Sequence, residues 1–391
     1  MKPGSQPYLT TITPLRGIAA LLVVIYHSSF WIGPLFPVGY SEFIESSWLW
    51  VDFFFVLSGF ILSYAYENYI KKGITRKGFI KYMGSRFARV YPLYFVTTIW
   101  AFICAELLFH YATSIDPILA GVLDTRALPA CLLMVQSMHT GFFTAPLNTP
   151  GWSLSTEWWA YVIFPFLLPF FISLKDWRKF AGVVLLVVSF ILIKYLLGPI
   201  SYAHSTTLNV MTDFGFLRCL AGFFSGMLLH TFFKHRSGYA IMKRDWFFVI
   251  SSAALLVSMH FGLMDIAVVC FFPIIIISAA YNQTGIKRIL DTKLFQRLGD
   301  WSFSIYMVHI PIFMIYILIK ILKKPDLIAD VSRLMIQKPD YIQNLVMTIV
   351  LVAIVLFISA IFYRFLEVPA RNYFNKLFKT KKPKILFGTD S

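Results

Sequence analysis

Residues 15–33 read LRGIAALLVVIYHSSFWIG, and the rest of the chain is read outward from this stretch. It stays apolar for the length a helix needs to cross a hydrocarbon core of roughly 30 Å, yet it carries Arg16 and His27. A charge and an imidazole inside such a segment are costly, which marks both as functional candidates. They stand eleven positions apart. That is close to three full helical turns, so both fall on one face, about 16 Å apart along the axis.

Segments of this kind recur. The 391 residues are 58% hydrophobic and 18% aromatic, with 40 Phe, and only 14% are charged, against about a quarter in a soluble domain. Ten spans are expected, at about 15–33, 47–67, 90–111, 158–174, 180–198, 214–233, 246–263, 265–281, 302–322 and 344–366. The runs are continuous rather than alternating, which argues against a β-barrel. The expected fold is therefore all-α, a polytopic membrane protein of about ten transmembrane helices. Net charge +16 does not signal nucleic acid, because the basic residues lie in the short segments between runs. With the N-terminus inside, the inside segments hold 25 Lys and Arg and the outside segments 5. That asymmetry predicts two cytoplasmic termini.

The whole of 1–391 reads as a single membrane domain, with a core over about 10–370 and a basic tail over 371–391. The tail's FNKLFKTKKPK suits an anionic lipid surface. No cleavable signal peptide is expected, since the first apolar run is long and lacks a convincing small-residue cleavage site. The outside segment 112–157 is apolar in places, but Asp124, Arg126 and Pro129 argue for a re-entrant or interfacial element rather than an eleventh span. Cys104, Cys131, Cys219 and Cys270 show no CxxC spacing, so neither a disulfide nor a metal site is expected. No internal repeat is visible, which disfavours a transporter built from inverted halves.

Four constellations can carry chemistry. In the first, span one rises outward and span two descends, so Asp52 of WVDFFFVLSGF should lie at the depth of His27. A carboxylate there orients an imidazole for base catalysis; the competing reading pairs Asp52 with Arg218, near the outer end of span six. In the second, Arg86 and Arg89 of SRFARVYP point the same way from one helix, and two guanidinium forks suit phosphate. In the third, NTPGWSLSTEWWAY brings Glu157, Trp152 and Tyr161 to the head of span four, where aromatic faces beside a polar group suit sugar rings. In the fourth, Ser302, Tyr306 and His309 fall at i, i+4 and i+7, a polar stripe on span nine that equally suits interhelical hydrogen bonds. The remaining histidines, His110, His139, His204, His230, His235 and His260, read as interfacial or solvated.

Together these blocks resemble the bacterial membrane acyltransferase-3 family, the integral-membrane O-acyltransferases of surface polysaccharides, over nearly the whole chain. Arg16 and His27 match its Arg/Lys-ten residues-His signature, and Arg86-Phe-Ala-Arg89 its Arg-x-x-Arg element. VDFFFVLSGF, GWSLSTEWW and SFSIYMVHIP look like its other signature stretches. The resemblance implies a multi-pass protein of the bacterial cytoplasmic (inner) membrane, in the form without an extra extracytoplasmic domain. It implies transfer of an acyl group, usually acetyl from acetyl-CoA, to a hydroxyl of a glycan or lipid-linked sugar at the outer face. Acyl-CoA is then a co-substrate, with no tightly bound cofactor, and the oligomeric state stays open. In this reading His27 is the general base, oriented by Asp52 or Glu157. Arg16, Arg86 and Arg89 bind CoA phosphates or the developing oxyanion. Trp152, Tyr161, Arg218, Ser302, Tyr306 and His309 serve the acceptor or support the site. The alternative is a transporter of a small solute using the Arg, His and Asp side chains as a relay.

Overall fold

Inside a hydrocarbon layer every backbone N–H and C=O must find its partner within the segment, and a helix does this. The computed structural model describes residues 9–37, 39–112, 117–138, 146–201, 206–211, 213–323 and 340–378. Among them there is helix and no strand. In chain order the helices are α1 (Ile12–Ile32), α2 (Trp50–Ile70), α3 (Arg76–Tyr111), α4 (Pro117–Val122), α5 (Leu128–Leu132), α6 (Gly151–Ile172), α7 (Asp176–Leu192), α8 (Gly215–Lys234), α9 (Tyr239–Met242), α10 (Asp245–His260), α11 (Asp265–Tyr281), α12 (Gly285–Leu290), α13 (Lys293–Lys323), α14 (Tyr341–Phe362) and α15 (Val368–Leu377). Eight helical stretches among the described residues are long and apolar enough to cross a membrane, and α10 and α11 are shorter apolar helices. All ten expected spans therefore fall on apolar helices.

The core forms where helices touch over their whole length. Helix α2 lies along α8, and α1 along α13, with α3 and α6 closing the sides. Small residues set the closest approaches. A Cβ added at Gly226 of α8 would overlap the Val56 carbonyl oxygen of α2, and one at Gly299 of α13 would overlap the Thr13 carbonyl of α1. In lipid this kind of backbone contact replaces the hydrophobic effect as the association force. The outer helices α7, α10 and α14 turn Leu185, Ile250 and Phe357 outward, as lipid-facing surfaces do.

Several boundaries differ from the sequence expectation. Helix α3 begins at Arg76, well before the expected span start at about 90, so Arg86 and Arg89 stand inside one long helix, on one helix as expected. Helix α6 begins at Gly151, which puts Glu157 nearly two turns inside it. Among the described residues of 112–150 the helical elements are α4, a 3-10 turn (Thr125–Ala127) and α5, all too short to span. The start of the expected basic tail belongs to the fold instead. Helix α15 packs on α3 through Phe374 and Phe378 against Phe87, and Arg371 is buried. Tail residues 379–391, His139 and His204 lie outside the described residues. His230, expected at an interface, is buried on α8 with its Nε2 3.5 Å from Glu67, which also binds Lys234.

Candidate active site

A cavity of about 120 Å³ opens between α1, α2, α3, α6 and α13. Arg16, Arg86, Arg89, Glu157, Tyr161, Ser302 and Tyr306 line it, so the side chains singled out in four separate blocks meet in one place. The lining carries three guanidiniums and one carboxylate, and Phe54, Phe55 and Phe303 supply its apolar wall.

Each polar side chain is set by its own helix. On α3, Arg86 is buried and directs Nη2 at the Tyr66 hydroxyl and Ser85 Oγ, both at 3.3 Å, with its Nε unpartnered among the described residues. Arg89, one turn on, forms an ion pair with Glu367 and lies over the Phe303 ring at 5.4 Å. Glu367 reaches it because the chain after α14 takes a π-helical turn, Tyr363–Glu367, whose extra residue rotates the carboxylate inward. Its second oxygen accepts from Ser304 Oγ at 2.8 Å. Glu157 stands with Ser58 and Tyr161 beside its carboxylate and the charges of Arg16 and Arg86 near it. Ser302 Oγ lies on the wall, buried and unpartnered among the described residues. Tyr306 shares a 2.8 Å hydrogen bond with Ser153.

His27 does not line the cavity. Its ring meets His309, with His27 Nδ1 3.2 Å from His309 Nε2 and ring centroids 5.0 Å apart. The His309 ring is 6.2 Å from that of Tyr306, so the histidine pair adjoins the cavity through Tyr306. Helical spacing thus placed Tyr306 and His309 on one face, but the partner that His309 meets is on α1.

Two expected contacts are not formed. Asp52 does not reach His27; its carboxylate accepts from Arg218 Nε at 3.0 Å and Nη2 at 2.6 Å, and both side chains are 0% exposed. Trp48 and Trp152 lie over the guanidinium at 4.7 and 5.3 Å. The reason is electrostatic: a buried guanidinium demands a carboxylate far more strongly than a neutral imidazole does. Glu157 does not orient His27 either, because its helix turns it toward Arg16 and Arg86. Ser155 of GWSLSTEWW donates to the Met134 carbonyl at 2.8 Å, as Trp159 Nε1 does at 2.9 Å.

Sequence reasoning gave no role to Glu367, just past the last expected span, or to Arg371, at the start of the expected basic tail. The signal was present: Glu367 closes an apolar run in FYRFLEVPA, the same kind of position that drew attention to Glu157. It also missed Asn148. Pro311 has no N–H, so the Met307 carbonyl one turn earlier loses its helical donor, and Asn148 Nδ2 supplies one at 2.9 Å.

An acyltransferase domain family, acyltransferase 3, matches residues 11–364. Acyltransferase MdmB of Streptomyces mycarofaciens is 26% identical, the match covering 77% of this chain and 78% of that protein. Protein 2 in the picA locus of Rhizobium radiobacter is 35% identical over 37% of this chain and 73% of that one. A putative acetyltransferase, ORF330 of Acidianus two-tailed virus, is 27% identical over 49% of this chain and 48% of its own length. No solved structure matches the chain.

Proposed function

This chain belongs to the acyltransferase-3 family, and from that premise we propose that it moves an acyl group, acetyl in the first instance, from acyl-CoA to a hydroxyl of a glycan or lipid-linked sugar at the extracytoplasmic face of the bacterial cytoplasmic membrane. One observation carries the reading. Three arginines and Glu157 line a single cavity, and its Tyr306 wall adjoins the His27–His309 pair. The acetyltransferase name of one relative supports acetyl as the group moved. Family membership favours acyl transfer over solute transport.

In the proposed mechanism, Arg16 and Arg86 attract the donor's phosphates from the cytoplasmic side. Arg89 joins them while held by Glu367. Arg16 and His27 lie about 16 Å apart along α1, so an extended pantetheine arm bridges the donor site and the base. His27 removes the proton from the acceptor hydroxyl. The oxygen attacks the thioester carbonyl, the C–S bond breaks, and the CoA thiolate takes the proton back from the imidazolium. The products are an ester and free CoA. A positioned base of this type contributes about 10²–10⁴-fold.

The test is transfer from labelled acetyl-CoA by detergent-purified protein, together with mass spectrometry of surface glycans from cells with and without it. His27→Ala is expected to abolish transfer and the glycan mass shift while the protein stays folded in the membrane. Arg86→Ala is expected to lose acetyl-CoA binding. Near wild-type transfer by His27→Ala would falsify the assignment of the base.

A further inference from the structure

We infer that His309 positions His27 for catalysis, fixing the tautomer in which its Nε2 carries the reactive lone pair. The inference rests on the reading of His27 as the base. Base-catalytic histidines need their second nitrogen held, and the usual holder is a carboxylate. Among the described residues the carboxylates expected near His27 are engaged elsewhere, Asp52 by Arg218 and Glu157 beside Arg16 and Arg86.

Two backbone carbonyls decide the proton positions. His27 Nδ1 lies 3.0 Å from the Val23 carbonyl oxygen, and His309 Nδ1 lies 3.3 Å from that of Ile305. A carbonyl only accepts, so each contact is a hydrogen bond only when the facing Nδ1 carries the proton. A neutral ring has a single N–H. His309 Nε2 is then bare, and it faces the Nδ1–H of His27 at 3.2 Å. His27 Nδ1–H is shared between the Val23 carbonyl and His309 Nε2 in a three-centre hydrogen bond. One nitrogen remains, His27 Nε2, and it is the acceptor of the substrate's proton. After that transfer the imidazolium's Nδ1–H still points at a bare nitrogen, and a hydrogen bond from a charged donor is roughly twice as strong as one from a neutral donor. His309 is held for this task by its own helix. Tyr306 and Phe313 flank its ring at 6.2 and 5.7 Å, and the side chain is fully buried.

The experiment compares kcat and KM for acetyl-CoA in His309→Phe, His309→Leu and His309→Gln, each checked for abundance and monodispersity. Gln offers an amide oxygen near the position of Nε2, whereas Phe and Leu offer no acceptor. Phe or Leu is expected to lower kcat on the order of 10–100-fold, the range for partners that hold the second nitrogen of metal-ligating histidines, with KM unchanged. Gln is expected to recover most of the loss. In a His27→Ala background His309→Phe should remove nothing further. Wild-type kcat in His309→Leu, or equal losses in Gln and Leu with a raised KM, would overturn the inference. His27→Ala separates the two ideas: if it is inactive while His309→Leu is normal, His27 remains the base and only the role of His309 falls.

Discussion

Removing the Asp52 carboxylate tests whether that residue builds the fold or acts in the reaction. Asp52→Ala leaves the Arg218 guanidinium with neither of its bonds at 3.0 and 2.6 Å, in a place where both side chains are 0% exposed. Breaking a buried pair from one side costs about 3–5 kcal/mol. Two tryptophan faces remain over the cation and offset up to about 2 kcal/mol, so the lower end, about 3 kcal/mol, is expected. That is roughly a 150-fold fall in the folded-to-unfolded ratio. Arg218→Met should cost a similar amount, because it strands the carboxylate. The double variant Asp52→Leu with Arg218→Met should return to within about 1 kcal/mol of wild type, since well-packed apolar residues substitute for a buried pair without loss. The assay is unfolding in mixed micelles, titrated with SDS and followed by tryptophan fluorescence, with acetyl transfer measured on the folded fraction. If Asp52→Ala keeps wild-type stability and loses transfer, and the apolar double variant does not restore it, Asp52 is part of the chemistry and the structural reading is refuted.

Two further outcomes follow from the geometry. Asn148→Leu orphans the Met307 carbonyl and should cost about 1–3 kcal/mol in the same titration. In a Pro311→Ala background, where the helix regains its own donor, that cost should shrink below about 1 kcal/mol. Glu367→Gln removes the charge that holds Arg89, and the Kd for acetyl-CoA, measured by equilibrium dialysis, should rise about tenfold, the lower end for losing a hydrogen bond to a charged group; a Kd that falls would mean that Glu367 competes with the donor's phosphates for Arg89.

Much of the fold was legible because lipid narrows the choices. Once the apolar runs are seen, helix is the form that satisfies their backbone, and their length sets the spans. Side chains on one helix were legible too, since the 3.6-residue period puts Tyr306 beside His309 and Arg86 beside Arg89. What the sequence left open was contact between helices. Asp52 had two candidate partners at one depth, and only packing of α2 on α8 selected Arg218. His309 meets His27 across 282 positions, a pairing no local period encodes. Glu367 was hidden by a π-helical turn, because one extra residue shifts every later side chain by about 100° from the face that an α-helix predicts.

The packing of α1 on α13 also sets an order of assembly. His27 enters the bilayer with the first helix, and its partner follows 282 residues later. At about 5–20 residues per second, translation takes roughly 15–60 s to deliver α13. Through that interval α1 carries Arg16 and His27 without the α13 surface that covers them, and unshielded polar groups inside a membrane segment are costly. A nascent chain stalled before α13 therefore holds His27 and Arg16 without the α13 wall of the cavity. The cavity is complete only when α13, in the last third of the chain, closes over the first helix.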